Sequence, residues 1–88
     1  MDKLLIVKRA VDRADPYGLL AMGAPDDEYD LESERIADAL SGADSAEKIA
    51  MLAAEIFSRS FNMDFKAELF AGAAEEIRHE FDKENKWQ

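Results

Sequence analysis

Seven carboxylates crowd thirteen consecutive residues, Asp26-Asp27-Glu28-Tyr29-Asp30-Leu31-Glu32-Ser33-Glu34-Arg35-Ile36-Ala37-Asp38, against a single arginine. Clustered carboxylates can hold a divalent cation, exchange protons in acid–base work, or attract a cationic partner. The first possibility fails on spacing. Counted from Asp26, a calcium loop of the EF-hand type finds oxygens at Asp26, Glu28 and Asp30, but Leu31 stands where glycine must make the sharp turn. Ala37 stands where a bidentate glutamate must close the shell.

Acid–base and nucleophilic chemistry fare no better. His79 is the chain's one imidazole. Glu76-Ile77-Arg78-His79 has the Glu-x-x-His spacing of di-iron helical bundles, which need a second such motif and two more inward glutamates. No second histidine exists, and Glu75 sits one turn before His79, so a solvated imidazole beside two carboxylates is the favoured reading. Ser33, Ser41, Ser45, Ser58 and Ser60 have one possible base among them and no nucleophile elbow. There is no Cys, hence no thiol nucleophile, no disulfide and no thiolate zinc site. The expectation is a protein that is not an enzyme, with no cofactor and no metal. A pocket lined by polar groups around His79 would be the sign to the contrary.

The elements that must position these residues are helical. Leu4, Val7, Val11 and Ala14 form the stripe of a first helix, which Asp15-Pro16 should end because the residue before proline is pushed out of the helical region. Tyr17–Met22 holds at most one turn, and Gly23-Ala24-Pro25-Asp26-Asp27 reads as an ordered loop. A second helix is expected from Asp30, its carboxylate capping the first turn, with Ser33, Ile36, Ala37 and Leu40 inward and Gly42 as the stop. Asp44-Ser45-Ala46-Glu47 reads as a capping box, Asp44 being the cap. It opens a third helix with Ile49, Leu52, Ala53, Ile56 and Phe57 inward. Asn62 suits a left-handed break. Asp64 is expected to cap a last helix whose stripe is Phe65, Leu69, Ala73, Ile77 and Phe81, with Lys83 and Lys86 at its negative pole. Trp87 would cover the end of the bundle. No run alternates in the manner of a strand. The predicted fold is all-α: one domain over residues 1–88, about four short helices around one core, with the 15–29 loop folded against it.

Charge narrows the function. Eighty-eight residues carry 11 Lys+Arg against 20 Asp+Glu, a net charge of -9, and the 26–38 segment alone supplies -6 of it. That argues against a sequence-independent grip on nucleic acid or on anionic lipid. No apolar run approaches the roughly 20 residues that span a bilayer. The four apolar residues Leu4-Leu5-Ile6-Val7 fall short of a signal-peptide core of about 7–15, so the expected location is the cytoplasm. Helix energetics explain part of the acidity, since Asp30, Glu32 and Glu34 each gain ~0.3–1 kcal/mol near a helix start and Glu32 can pair with Arg35. A remainder is left. Glu34 and Asp38 repel at a spacing of four, and Asp26 and Asp27 need no helix. The remainder suggests an acidic face for a cationic partner, with Asp26, Asp27, Glu28, Glu34 and Asp38 complementary to it and Tyr29 and Tyr17 as aromatic anchors.

The block Asp15-Pro16-Tyr17-Gly18-Leu19-Leu20-Ala21-Met22-Gly23-Ala24-Pro25-Asp26-Asp27-Glu28-Tyr29-Asp30 resembles the signature of the YugE-like family, small bacterial proteins with no established activity. Two positions depart from it: Ala14 replaces an aromatic residue before the Asp-Pro, and Leu31 replaces a proline after the final Asp. The resemblance implies a compact helical fold with an ordered Gly-Ala-Pro loop. Proteins similar to the family include immunity proteins of bacterial toxin systems, which implies a toxin domain as partner, and the acidic face makes a cationic one the expectation. The alternative is an accessory or structural protein whose helical surface docks a cellular partner, its acidity serving solubility.

Overall fold

The computed structural model describes residues 3–16, 18, 20–25, 27–41 and 44–84. Among them there is no strand, and the helices are α1 (Lys3–Ala14), α2 (Asp30–Ala39), α3 (Ala46–Phe61) and α4 (Ala71–Glu84), the last preceded by a 3₁₀ turn at Ala67–Phe70. α1 packs on α2 and α4, α2 on α3, and α3 on the 3₁₀ turn and α4. One contiguous core lies between them. The predicted Gly42 stop, the Lys86 charge and the Trp87 cover lie outside the described residues.

α1 stops where Asp15-Pro16 demands: Asp15 takes a left-handed φ of 45°. Its buried residues are Ile6, Val7, Ala10 and Val11, so the face is rotated from the predicted stripe, leaving Leu4 42% exposed and Ala14 exposed. The helix faces two neighbours at once, and the pairs 6–7 and 10–11 cover that wide arc better than a single row of side chains.

α2 begins at the predicted Asp30, but its N-cap is Tyr29, which makes no side-chain cap bond. The Asp30 carboxylate instead meets Lys8 Nζ at 2.7 Å. Ser33, Ile36, Ala37 and Leu40 are buried as the spacing predicts. α3 is capped by Ser45 rather than Asp44: the Ser45 hydroxyl accepts from the Lys48 amide at 3.2 Å. Asp44 accepts from the Ser41 amide at 2.9 Å, and this bond, helped by Lys48, holds its carboxyl below the usual range. One residue of frame separates the two readings, and the hydroxyl wins because the carboxylate is already bonded upstream. Asn62 ends α3 with φ 53° and ψ 44°.

Asp64 caps nothing; it lies 3.4 Å from Lys66. The 3₁₀ turn, with three residues per turn rather than 3.6, shifts the phase of the segment ahead of α4. Phe70 is therefore fully buried and Leu69 is 48% exposed. From Ala73 onward the predicted stripe holds, with Ala73, Ile77 and Phe81 buried. Phe57, the hub of the core, stacks on Phe61 at 5.7 Å and meets Phe70 at 5.2 Å and Tyr29 at 5.6 Å.

Candidate functional site

The acidic segment divides into side chains that the fold uses and side chains that it leaves in solvent. Tyr29 belongs to the first group. Its ring is fully buried, edge-on to Phe57 at 5.6 Å and Phe61 at 6.3 Å, and its hydroxyl donates to Asp15 Oδ1 at 2.7 Å. The same carboxylate accepts from the Leu20 amide at 3.0 Å and the Ala21 amide at 2.9 Å. The Tyr29 hydroxyl first, and those two amides with it, hold the Asp15 carboxyl below its ordinary range against a smaller opposing effect of burial. The predicted role of Tyr29 as an aromatic anchor for a partner is thereby corrected: the ring is an anchor for the loop. With Asp15 at one end and Tyr29 at the other, the 15–29 segment is a strap closed on α3. Gly18 and Gly23, at φ 75° and 95°, supply bends within it that residues with a Cβ rarely adopt.

Asp30 and Glu32 also face the fold. Lys8 reaches both Asp30 and Asp12 at 2.7 Å, which raises the lysine's pKa. Glu32 does not pair with Arg35; it is 7% exposed, and nothing donates to its Oε1. Arg35 reaches across to α3 and donates to Ser60 Oγ at 3.3 Å. The burial of Glu32 was not expected from its type, because a glutamate at the border of an apolar stripe is indistinguishable in sequence from one just outside it.

What remains in solvent is a ridge. Asp27 and Glu28 stand in the turn just ahead of α2, and Leu31, Glu34 and Asp38 recur along the helix at spacings of three and four; all five are exposed. The four carboxylates have no ion-pair or hydrogen-bond partner among the described residues. Leu31, 53% exposed, is the apolar member at the middle of this row and was missed in sequence as a candidate contact. It has the helical phase of Glu34 and Asp38, which could have revealed it. Asp38 lies in the last turn of α2, where no basic residue offsets the helix dipole. Negative charge there is unfavourable by about 0.3–1 kcal/mol. Tyr17 and Asp26, the two other predicted contacts, lie outside the described residues.

A hollow of about 300 Å³ lies between α1 and α4 and is lined by Ile6, Arg9, Arg13, Glu76, His79 and Glu80. Five of these six residues are polar or charged, so a polar pocket does adjoin His79. Its carboxylates are engaged, Glu76 with Arg13 at 3.0 Å and Glu80 with Lys83 at 3.3 Å, and no hydroxyl nucleophile lines it. Among the described residues no three His, Asp or Glu side chains converge to hold a metal ion, and no helix is long and apolar enough to cross a membrane.

Set against known proteins, the chain matches no family model, no curated protein and no solved structure.

Proposed function

We propose that this is a small acidic protein-binding protein that captures a cationic protein domain on the ridge formed by Asp27, Glu28, Leu31, Glu34 and Asp38. The observation that supports it most is the set of four exposed carboxylates around an exposed leucine, one of them placed against its own helix dipole. Negative charge at the start of α2 suits the helix dipole, but folding gains nothing from the Glu34–Asp38 repulsion, from Asp38 at the opposite pole or from an exposed Leu31. A basic partner does, because opposite fields speed encounter and a central apolar contact slows dissociation. The chain's resemblance to the YugE-like signature favours a bacterial toxin domain as the partner and an immunity role for this protein.

The test is capture from the source cell with wild-type bait and with the Asp27→Lys, Glu28→Lys double variant, at about 50 mM and about 500 mM salt. The reading requires a basic protein that the wild type retains at low salt and that both the reversal and high salt release. Co-expression with that captured protein then has to restore growth. The same proteins on both baits at both salts would sink the ridge as the binding face. Retention that ignores salt but is lost on changing exposed apolar residues such as Leu69 would favour the accessory-protein reading instead. No enzymatic role is proposed: the His79 hollow brings together no nucleophile and base.

A further inference from the structure

A groove of about 290 Å³ runs between the first turns of α3 and the junction of the 3₁₀ turn with α4. Its walls are alanines, Ala46 and Ala50 from one side and Ala67 and Ala71 from the other. Small side chains on both walls keep the two elements from filling the space between them, so an incoming backbone can approach closely. Met51, 59% exposed, stands at the mouth, where its flexible thioether can adapt to what enters. The volume falls just under the roughly 300–1,000 Å³ of small-molecule sites, a size suited to one anchoring side chain.

The rim is entirely anionic. Glu47, Glu68 and Glu75 line the groove, all exposed and without an ion-pair or hydrogen-bond partner among the described residues. The cations next to them in sequence are turned elsewhere, Lys48 toward Asp44 at 3.6 Å and Lys66 toward Asp64 at 3.4 Å. An apolar trough ringed by unbalanced carboxylates is complementary to one kind of segment: an apolar anchor flanked by lysines or arginines. On a helix, charges three and four positions from the anchor would straddle the groove. We propose that this groove docks a cationic amphipathic helix of a partner protein. The surface is built from α3, the 3₁₀ turn and α4, and the inference does not rest on the α2 ridge.

The probe is a synthetic amphipathic Leu/Lys helix of about 15 residues, titrated into the isotope-labelled full chain while backbone amide shifts are followed. Shifts should cluster at Ala46, Ala50, Met51, Ala67 and Ala71, and a Leu/Glu peptide of the same pattern should not bind. Ala71→Arg, which fills the trough and reverses its field at an exposed helix position, should weaken binding at least about tenfold. If circular dichroism shows that variant unfolded, the Glu68→Lys, Glu75→Lys pair tests the same field at two exposed positions and should weaken binding to a similar degree. Shifts confined to residues 27–38, shifts spread over every acidic surface, an affinity indifferent to these substitutions, or no binding by about millimolar probe would each overturn the proposal.

Discussion

Tyr29 and Asp27 stand two residues apart in one acidic stretch and do opposite things. Tyr29 turns inward, buries its ring on Phe57 and gives its hydroxyl to Asp15, closing the 15–29 strap. Asp27 turns outward and, with Glu28, Glu34 and Asp38, is left to solvent. At the closure of the strap, the Asp15 carboxylate and the Tyr29 hydroxyl are partnered, and a change there should cost stability. The ridge is a region where charges have none, and a change should cost binding while leaving stability alone or improving it. Composition treats the two as one acidic patch; the backbone of the turn ahead of α2 and the phase of the helix itself decide which residues face the core.

The largest expected effect breaks the strap. Tyr29→Ala removes a fully buried ring, a loss of about 3–5 kcal/mol in comparable cores, against a total of roughly 4–13 kcal/mol for a chain of this size. Urea denaturation should show the midpoint collapse or the native baseline disappear. A variant that stayed within about 1 kcal/mol of wild type would show that the strap is ornament.

Next in size is the acid response. The Asp15 carboxyl titrates lower in the folded chain than its ordinary value of 3.8. A depressed folded value means stability that is present above that ordinary value and lost as pH falls through the folded one. Thermal midpoints should therefore decline as pH drops below about 4. Tyr29→Phe removes the leading cause of the depression while keeping the ring. It should lower the midpoint at neutral pH by less than the alanine does and make the acid decline shallower. Asp44, lowered by the Ser41 amide, titrates over the same window in both proteins, so the decline should not vanish. Identical acid branches would mean that the hydroxyl contributes nothing to the Asp15 carboxylate.

How much of this was legible in sequence depends on how far away the deciding partner lies. The ends of α1 and α3 could be read at Asp15-Pro16 and Asn62 because backbone conformation there is decided by the residue itself. The inner face of α2 could be read because Ser33, Ile36, Ala37 and Leu40 share one phase. The role of Tyr29 could not, since its partner is fourteen residues upstream and an aromatic residue among carboxylates looks the same whether it points in or out. Caps were misplaced for a related reason: Asp44 and Asp64 are good cap types, but Ser41 claims one and a 3₁₀ turn separates the other from α4. The exposure of Glu34 and Asp38 could be read from their repulsion at a spacing of four, and that of Asp27 from a carboxylate that no helix asks for. Leu31 was overlooked for lacking charge.

A smaller effect sits at the boundary between the two regions. Lys8 holds Asp12 on its own helix and Asp30 at the start of α2. Lys8→Met keeps most of the stem and removes the charge, for a cost of at most about 1 kcal/mol at low salt. The lysine's pKa is raised in the fold, so its contribution is complete below the ordinary value of 10.5 and fades as pH climbs through the folded one. The difference in urea midpoint between wild type and Lys8→Met should shrink in high salt and above about pH 10.5. A difference that ignored both would assign the effect to packing of the stem rather than to the bridge.

The smallest effect has the opposite sign. Glu34 and Asp38 are exposed, four residues apart on α2, and Asp38 opposes the helix dipole. Neutralising both, as Glu34→Gln with Asp38→Asn, removes a like-charge pair that costs about 0.2–0.5 kcal/mol and eases the dipole conflict. Thermal unfolding at low salt should therefore shift up by a degree or a few, since about 1 kcal/mol moves a domain of this size by roughly 4–8 °C, and added salt should erase the gain. The same variant should bind the captured partner less tightly. Stability and affinity moving in opposite directions is what separates a ridge kept for binding from acidity that merely solubilises. If neutralisation lowered both, these carboxylates would belong with the strap, serving the fold.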